Sequence, residues 1–204
     1  MYVRLVSVAG DPTKIDDTVE QLTAEGQNLP AEQPGFRGLG IFVDREGGKL
    51  LVSTWWESEE VLRASEEALR ERRGPLLAPF ALTMTIETFE AAVVRRSKRR
   101  PGPGAGIRVN RLEFAPSDAH QLVESFQNTV LPRIETNPGF GGAALLIDRA
   151  AGHAVLGAGY TDPQALAISR MAARAVRADT LKQARLTWHD PEEFEVVTPL
   201  NGLG

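Results

Sequence analysis

Asn110 is the polar residue best placed to do chemistry, because it interrupts the apolar stretch IRVNRLEF (Ile107–Phe114). An amide buried in a strand beneath helices needs hydrogen-bond partners, since leaving it unpaired costs about 1–3 kcal/mol. The partner is a group on a bound molecule, the backbone of a helix or loop, or water. We therefore treat Asn110 as a candidate catalytic residue, with a structural role as the alternative.

Large aromatic residues fall on the predicted strands at Trp55, Trp56, Tyr160 and Trp188. Small-molecule sites are commonly apolar pockets lined by such side chains together with a few polar groups. Tyr160 is our second candidate catalytic residue, and Trp56 and Trp188 are candidate substrate-binding residues. The alternative is that these side chains fill the hydrophobic core.

Arg4 and Arg108 occupy equivalent positions in two similar parts of the chain. Such a pair either binds an anionic ligand, pairs between the two parts, or forms structural salt bridges. We include Arg108 among the candidate substrate-binding residues and keep the structural role as its alternative.

The three histidines, His120, His153 and His189, show no metal-site spacing, and the chain has no cysteine. His189 precedes Asp190, a pair that suggests a base oriented by a carboxylate. Neighbouring residues on a strand point to opposite faces, so we interpret this pair as a strand end. We expect no metal and no cofactor.

The net charge of −4 is unevenly spread over the 204 residues. The segment RRSKRRPGPGAG (Arg95–Gly106) carries only basic charges, and the acidic segments 1–94 and 107–204 flank it. It lacks interleaved aromatic residues, which favours a solvated linker over nucleic-acid binding. No apolar run reaches the ~20 residues of a membrane span, and the N-terminus does not resemble a signal peptide. We expect a cytoplasmic protein that binds neither membrane nor nucleic acid.

A twelve-residue phrase occurs twice, as PGFRGLGIFVDR from Pro34 and as PGFGGAALLIDR from Pro138. The offset of 104 residues also aligns Arg4 with Arg108 and Trp56 with Tyr160. The chain is therefore a tandem duplication. We predict a first repeat over residues 1–94, a linker over 95–106, and a second repeat over 107–204.

Each repeat shows the pattern of strands and helices βαββαβ, the ferredoxin-like order of an α+β fold. On the predicted strands, apolar residues point to both faces: Leu39 and Ile41 to one, Phe42 to the other. The helices of one repeat cover only one face of its sheet. We therefore expect the two repeats to pack sheet-to-sheet, as an intramolecular dimeric α/β barrel.

The βαββαβ order, NPGF (Asn137–Phe140) at the second strand and WWESEE (Trp55–Glu60) after the third resemble the antibiotic biosynthesis monooxygenase (ABM) family, once per repeat. That family consists of dimeric α/β-barrel proteins and includes cofactor-independent oxygenases of aromatic polyketides and quinones, as well as haem-degrading enzymes. The resemblance implies a monomer with internal pseudo-twofold symmetry and a ligand cleft between sheet and helices.

Asn110 matches an asparagine that the haem-degrading branch carries on its first strand, but the second helices contain no matching Trp or His. We therefore do not expect haem degradation. The resemblance implies instead a cofactor-independent oxygenase of an aromatic polyketide or quinone-type substrate, in which Asn110 orients a substrate carbonyl or a peroxy intermediate. The alternative is a non-catalytic protein on the same fold that binds a ligand or a partner.

Overall fold

The computed structural model describes residues 1–26, 28–183 and 185–200, with the backbone alone at 181–183. The chain divides into two units. The first comprises Met1–Thr88 together with the residues from Val196, and the second comprises Phe89–Glu195. The boundaries of the units therefore differ from those of the repeats, which stay a prediction.

The described residues form nine strands, most of them in equivalent places in the two repeats. Their bounds are β1 (Tyr2–Gly10), β2 (Phe36–Asp44), β3 (Lys49–Trp56), β4 (Ala81–Arg96), β5 (Gly106–Phe114), β6 (Phe140–Asp148), β7 (His153–Tyr160), β8 (Leu186–Trp188) and β9 (Glu192–Thr198).

The helices of each repeat follow its first and third strands. Two π-helical turns, Leu22–Gly26 and Phe126–Val130, lie 104 residues apart and match the offset of the sequence repeat. The α-helices are α1 (Ile15–Gln21), α2 (Asn28–Ala31), α3 (Glu59–Ala64), α4 (Glu66–Leu77), α5 (Ala119–Ser125), α6 (Leu131–Glu135) and α7 (Pro163–Gln183).

The strand pairings confirm the predicted fold class. Strands are hydrogen-bonded in the order β7-β6-β4-β1-β3-β2-β9-β5, and β5 pairs back to β7, while β8 adds to β5. Seven of these pairings are antiparallel: β1–β3, β2–β3, β4–β6, β5–β7, β5–β8, β5–β9 and β6–β7. Eight strands thus form a closed ring of pairings, the hydrogen-bonding pattern of an antiparallel barrel in an α+β protein.

Local sequence signals explain where the elements begin and turn. Asp11 accepts a hydrogen bond from the Thr13 amide at 3.0 Å, and Asp162 accepts one from the Ala165 amide at 2.8 Å. These caps satisfy amides that have no partner inside the helix. The β2–β3 and β6–β7 hairpins place Gly48 and Gly152 at φ of 61° and 71°, which side chains rarely tolerate.

Both faces of the strands are buried. Consecutive residues on β3, Leu50 and Leu51, point to opposite faces and are 1% and 4% exposed. In the first unit, Ile15 and Val19 of α1 pack with Ile41 of β2 in one apolar cluster. This packing holds helix α1 against the sheet.

The basic segment that follows the first repeat begins as a strand. Arg95 and Arg96 lie in β4 and pair with Ala143 and Gly142 of β6. Arg95 also forms an ion pair with Glu135 at 3.0 Å. Separately, no helix in the described ranges is both long enough and apolar enough to cross a membrane.

Candidate functional site

A cleft in the first unit opens between the sheet and the helices. Its empty volume is about 520 Å³, including the opening to solvent. The cleft is lined mainly by apolar residues from β1, β2, β3, the π-helical turn, α2 and α4. They are Val6, Leu22, Gly26, Leu29, Pro30, Leu39, Val52, Leu69, Leu76 and Leu77. Arg4, Thr54 and Arg73 are the other lining residues described.

Arg4 is the most deeply buried charged residue of this cleft, at 2% exposure. Its Nη1 donates to Ser65 Oγ at 3.1 Å and its Nη2 to the Leu62 carbonyl at 2.6 Å. Its Cζ lies 5.6 Å from the centre of the Trp56 ring, within cation–π range. These contacts hold the guanidinium of Arg4, a residue of β1, against the end of α3.

Glu66 lies beside both arginines of the cleft. Its carboxylate is 2.9 Å from Arg4 Nε and 2.7 Å from Arg73 Nη2. Burial lowers the pKa of Arg4; Glu66 opposes this shift and Arg73 adds to it. Arginine nevertheless stays charged in proteins, so the cleft holds two cations and the adjacent carboxylate balances one of them.

The equivalent Arg108 has similar neighbours in the second unit. It donates to Ser169 Oγ at 2.9 Å and to the Leu166 carbonyl at 3.0 Å, and lies 5.9 Å from the ring centre of Tyr160. Its carboxylate partner is different, because Glu193 of β9 accepts from Nε and Nη2 at 3.1 and 2.8 Å. Sequence offset alone does not predict this partner.

The carboxylate of Glu193 also accepts hydrogen bonds from Arg170, the shortest at 2.7 Å. Burial raises the pKa of Glu193, but the hydrogen bonds from Arg170 and Arg108 outweigh it and hold that pKa below its ordinary value. Glu193 is therefore an ionised partner shared by two arginines, one of them buried.

The hydrogen-bond partner of the Asn110 side chain lies in the same unit. Trp188 Nε1 donates to Asn110 Oδ1 at 3.1 Å, and both side chains are buried. Arg177 donates to the Trp188 carbonyl at 2.7 Å and to Asp190 Oδ1 at 3.1 Å. Trp188 packs in the helix-facing core of the second unit, with Val176 and Phe126.

This arrangement makes the two units different at equivalent positions. Val6 and Arg73 line the cleft of the first unit, and their equivalents Asn110 and Arg177 both contact Trp188. The residue 104 positions before Trp188 is Met84, which is 45% exposed. The Trp188 indole therefore lies against Asn110 in the second unit, whereas the equivalent residue of the first unit, Val6, borders the cleft.

The predicted site residues fall into separate groups. Asn110 and Trp188 are in contact, as are Arg108 and Tyr160. Asn110 pairs with Leu156 across the sheet, whereas Tyr160 pairs with Gly106. At ~3.4 Å per residue, Asn110 and Tyr160 are about 13 Å apart along the strand.

Trp56, the fifth predicted site residue, lies in the first unit and donates to Thr54 Oγ1 at 3.0 Å. It contacts Arg4 and does not line the cleft itself. The catalytic and binding roles of all five residues stay predictions.

Sequence reasoning did not single out Arg73, Glu66 or Thr54. A signal for Arg73 was present, because Arg73 and Arg177 recur at the offset of 104. This signal is easily missed, since the segment RERR (Arg70–Arg73) is typical of an exposed helical face.

The histidines lie at the surface. His189 Nε2 is 2.9 Å from Glu113 Oε1, and His120 Nδ1 is 3.6 Å from Glu124 Oε2. Asp190 contacts Arg177, so His189 and Asp190 have separate partners. Within the described ranges, no three His, Asp or Glu side chains lie close enough together to hold a metal ion.

The sequence matches a protein family over its first 73 residues and curated relatives over 96% of its length. Residues 1–73 match the family model named antibiotic biosynthesis monooxygenase. An uncharacterised protein of Mycobacterium tuberculosis is 32% identical over 198 residues, covering 96% of this chain and 87% of its own length. A second from the same species is 26% identical over 197 residues, covering 96% and 83%.

Two solved structures share the fold at low sequence identity. An anthrone oxidase-like protein has a TM-score of 0.69 and 14% identity, covering all of this chain and 93% of its own. A Listeria monocytogenes ferredoxin-fold protein related to antibiotic biosynthesis monooxygenases has a TM-score of 0.56 and 9% identity, covering 97% and 95%. The family match over residues 1–73 and the relative that is 32% identical over 96% of this chain show that the chain belongs to the antibiotic biosynthesis monooxygenase family.

Proposed function

We propose that the protein binds one small, largely apolar molecule in the cleft of its first unit. The contrast between equivalent positions carries this proposal: Val6 and Arg73 border an opening, whereas Asn110 and Arg177 contact Trp188. Empty apolar volume lowers stability in proportion to its size. An apolar opening beside Val6, at a position where the second unit packs an indole against the equivalent Asn110, is best explained by a ligand.

The family supports an aromatic ligand, since its known members include enzymes acting on aromatic polyketides and quinones. We also propose that the chain is a monomer, because it contains both repeats that a dimer of the family supplies from two chains. We therefore propose one ligand per chain, bound in the cleft of the first unit.

Filling the cleft is expected to weaken binding. Leu76→Trp adds an indole at the half-buried edge of the cleft, and we expect the affinity for 2-naphthol to fall about tenfold or more, as expected when a large apolar contact is lost. Native mass spectrometry gives the chain mass, and titration calorimetry gives affinity and stoichiometry. We expect a single-chain mass and one site per chain.

The matched control is Leu82→Trp, a leucine of the same unit that is 82% exposed and does not line the cleft. It is expected to bind 2-naphthol as the wild type does. A homodimer mass, two equal sites per chain, or unchanged binding by Leu76→Trp would contradict the proposal.

The second candidate function is cofactor-independent oxygenation of a phenol or hydroquinone in the same cleft. Ten of the thirteen described lining residues are apolar or glycine, which favours the shielding from water that such a reaction needs. We expect the protein to increase oxygen uptake by 1,4-naphthohydroquinone, with Leu76→Trp abolishing the increase. Uptake equal to that in buffer, with 2-naphthol still bound, would leave binding as the function.

Asn110→Ala tests the predicted catalytic asparagine in the same assay. Loss of turnover by a folded variant would support Asn110 as a catalytic residue of the second unit. Unchanged turnover would leave it the role of hydrogen-bond acceptor for Trp188.

A further inference from the structure

The cleft of the first unit carries an excess of positive charge. Among its described lining residues, Arg4 and Arg73 are charged and none is acidic. Glu66 contacts both arginines but does not line the cleft, and its side chain is 37% exposed. An otherwise apolar cavity therefore presents two guanidinium groups, of which the single carboxylate balances one.

The hydrogen bonds of Arg4 are incomplete. One Nη1 donor and one Nη2 donor are used by Ser65 and Leu62. The buried Nε lies 2.9 Å from Glu66 Oε2, but its N–H is not directed for a hydrogen bond. A guanidinium has five N–H donors, so this buried cation retains donors that an additional acceptor would satisfy.

The second unit provides the comparison. There Arg108 directs both Nε and Nη2 at Glu193 Oε1, and the Trp188 indole donates to Asn110, the equivalent of the cleft residue Val6. The residue equivalent to Glu193, at the offset of 105 in this part of the repeat, is Thr88. The buried arginine that lines the cleft of the first unit thus lacks the well-directed carboxylate that its equivalent Arg108 has.

We propose that the ligand of the first unit is an apolar carboxylate, with its head group at Arg4 and Arg73 and its apolar body among the leucines of α2 and α4. This inference rests on the proposed function and specifies the class of molecule. Carboxylates accept parallel hydrogen bonds from arginine, which suits the free donors of Arg4. The added negative charge balances the second guanidinium.

Two pairs of probes of equal shape test this class: 2-naphthoate with 2-naphthamide, and decanoate with decanamide. Titration calorimetry at pH 7 is expected to give at least one carboxylate an affinity about tenfold higher than that of its amide, the effect of hydrogen bonds to a charged group. In Arg73→Gln, we expect this ratio to fall about fivefold while amide binding changes little. Arg177→Gln, at the equivalent position of the second unit, is expected to keep the wild-type ratio.

Glu66→Gln gives an independent result, because it removes the competing carboxylate and leaves both guanidiniums. It is expected to raise the affinity for the carboxylate about threefold without raising that for the amide. Equal binding of both members of each pair would overturn the carboxylate inference and leave the proposed function in place. Failure of all four probes to bind while 2-naphthol binds would overturn the carboxylate inference alone, and failure of 2-naphthol as well would overturn both. An equal loss in Arg73→Gln and Arg177→Gln would overturn the placement of the head group.

Discussion

Trp188→Ala is expected to lower the free energy of unfolding by about 3–5 kcal/mol, the usual cost of replacing a buried tryptophan by alanine. The indole is 8% exposed and packs in the core of the second unit. Its loss also leaves Asn110 Oδ1 without its buried donor, which adds to the cost. Urea unfolding followed by circular dichroism measures this change.

Two variants separate the causes of this effect. Trp188→Phe retains most of the apolar volume but not the indole N–H, so we expect an intermediate loss of about 1–3 kcal/mol. Met84→Ala, at the equivalent but exposed position of the first unit, is expected to cost less than about 0.5 kcal/mol. Equal losses at positions 84 and 188 would show that Trp188 does not stabilise the core of the second unit.

Glu193→Gln is expected to destabilise the protein by about 3 kcal/mol, because it leaves Arg108 buried without its counter-charge. The Arg108 side chain is 4% exposed and that of Glu193 24%, which places the effect at the low end for buried ion pairs. The control is Glu90→Gln, whose partner Arg149 is 44% exposed. That exposed pair is expected to contribute less than about 1 kcal/mol.

The effect of Glu193 depends on pH in a defined direction. Its pKa is lower in the folded protein than its ordinary value of 4.5. The stabilisation by its ionised form is therefore complete above that value and is lost as the pH falls through the folded pKa. The difference in unfolding free energy between wild type and Glu193→Gln should shrink between pH 7 and pH 3. A difference that grows on acidification would contradict the assignment.

The duplication made most of the fold predictable. The phrases beginning at Pro34 and Pro138 place a hairpin twice, and the alternation at Leu50 and Leu51 predicts strands with both faces buried. The final strand of the second repeat was harder, because the segment HDP (His189–Pro191) interrupts it between β8 and β9. Trp188 comes directly before that interruption, and no apolar pattern in the sequence predicts its buried position.

The site was less predictable than the fold. Asn110 looked chemically available from sequence because a strand amide needs a partner, but the choice between a ligand and Trp188 depends on tertiary packing. Arg73 belongs to a run of helical charges, and only its position relative to Glu66 and the cleft distinguishes it from Arg72. Charged helical residues look alike in sequence, since most of them are solvated.

The placement of β4 and β9 has a consequence for inheritance. Phe89–Val94 belongs to the predicted first repeat yet lies in the second unit, where β4 pairs with β6, and Val196–Thr198 belongs to the predicted second repeat yet lies in the first unit. A recombination event that removed one repeat would therefore also remove strand residues from the unit it left behind. The two repeats are therefore expected to be inherited together, although the residues that line the cleft can still diverge.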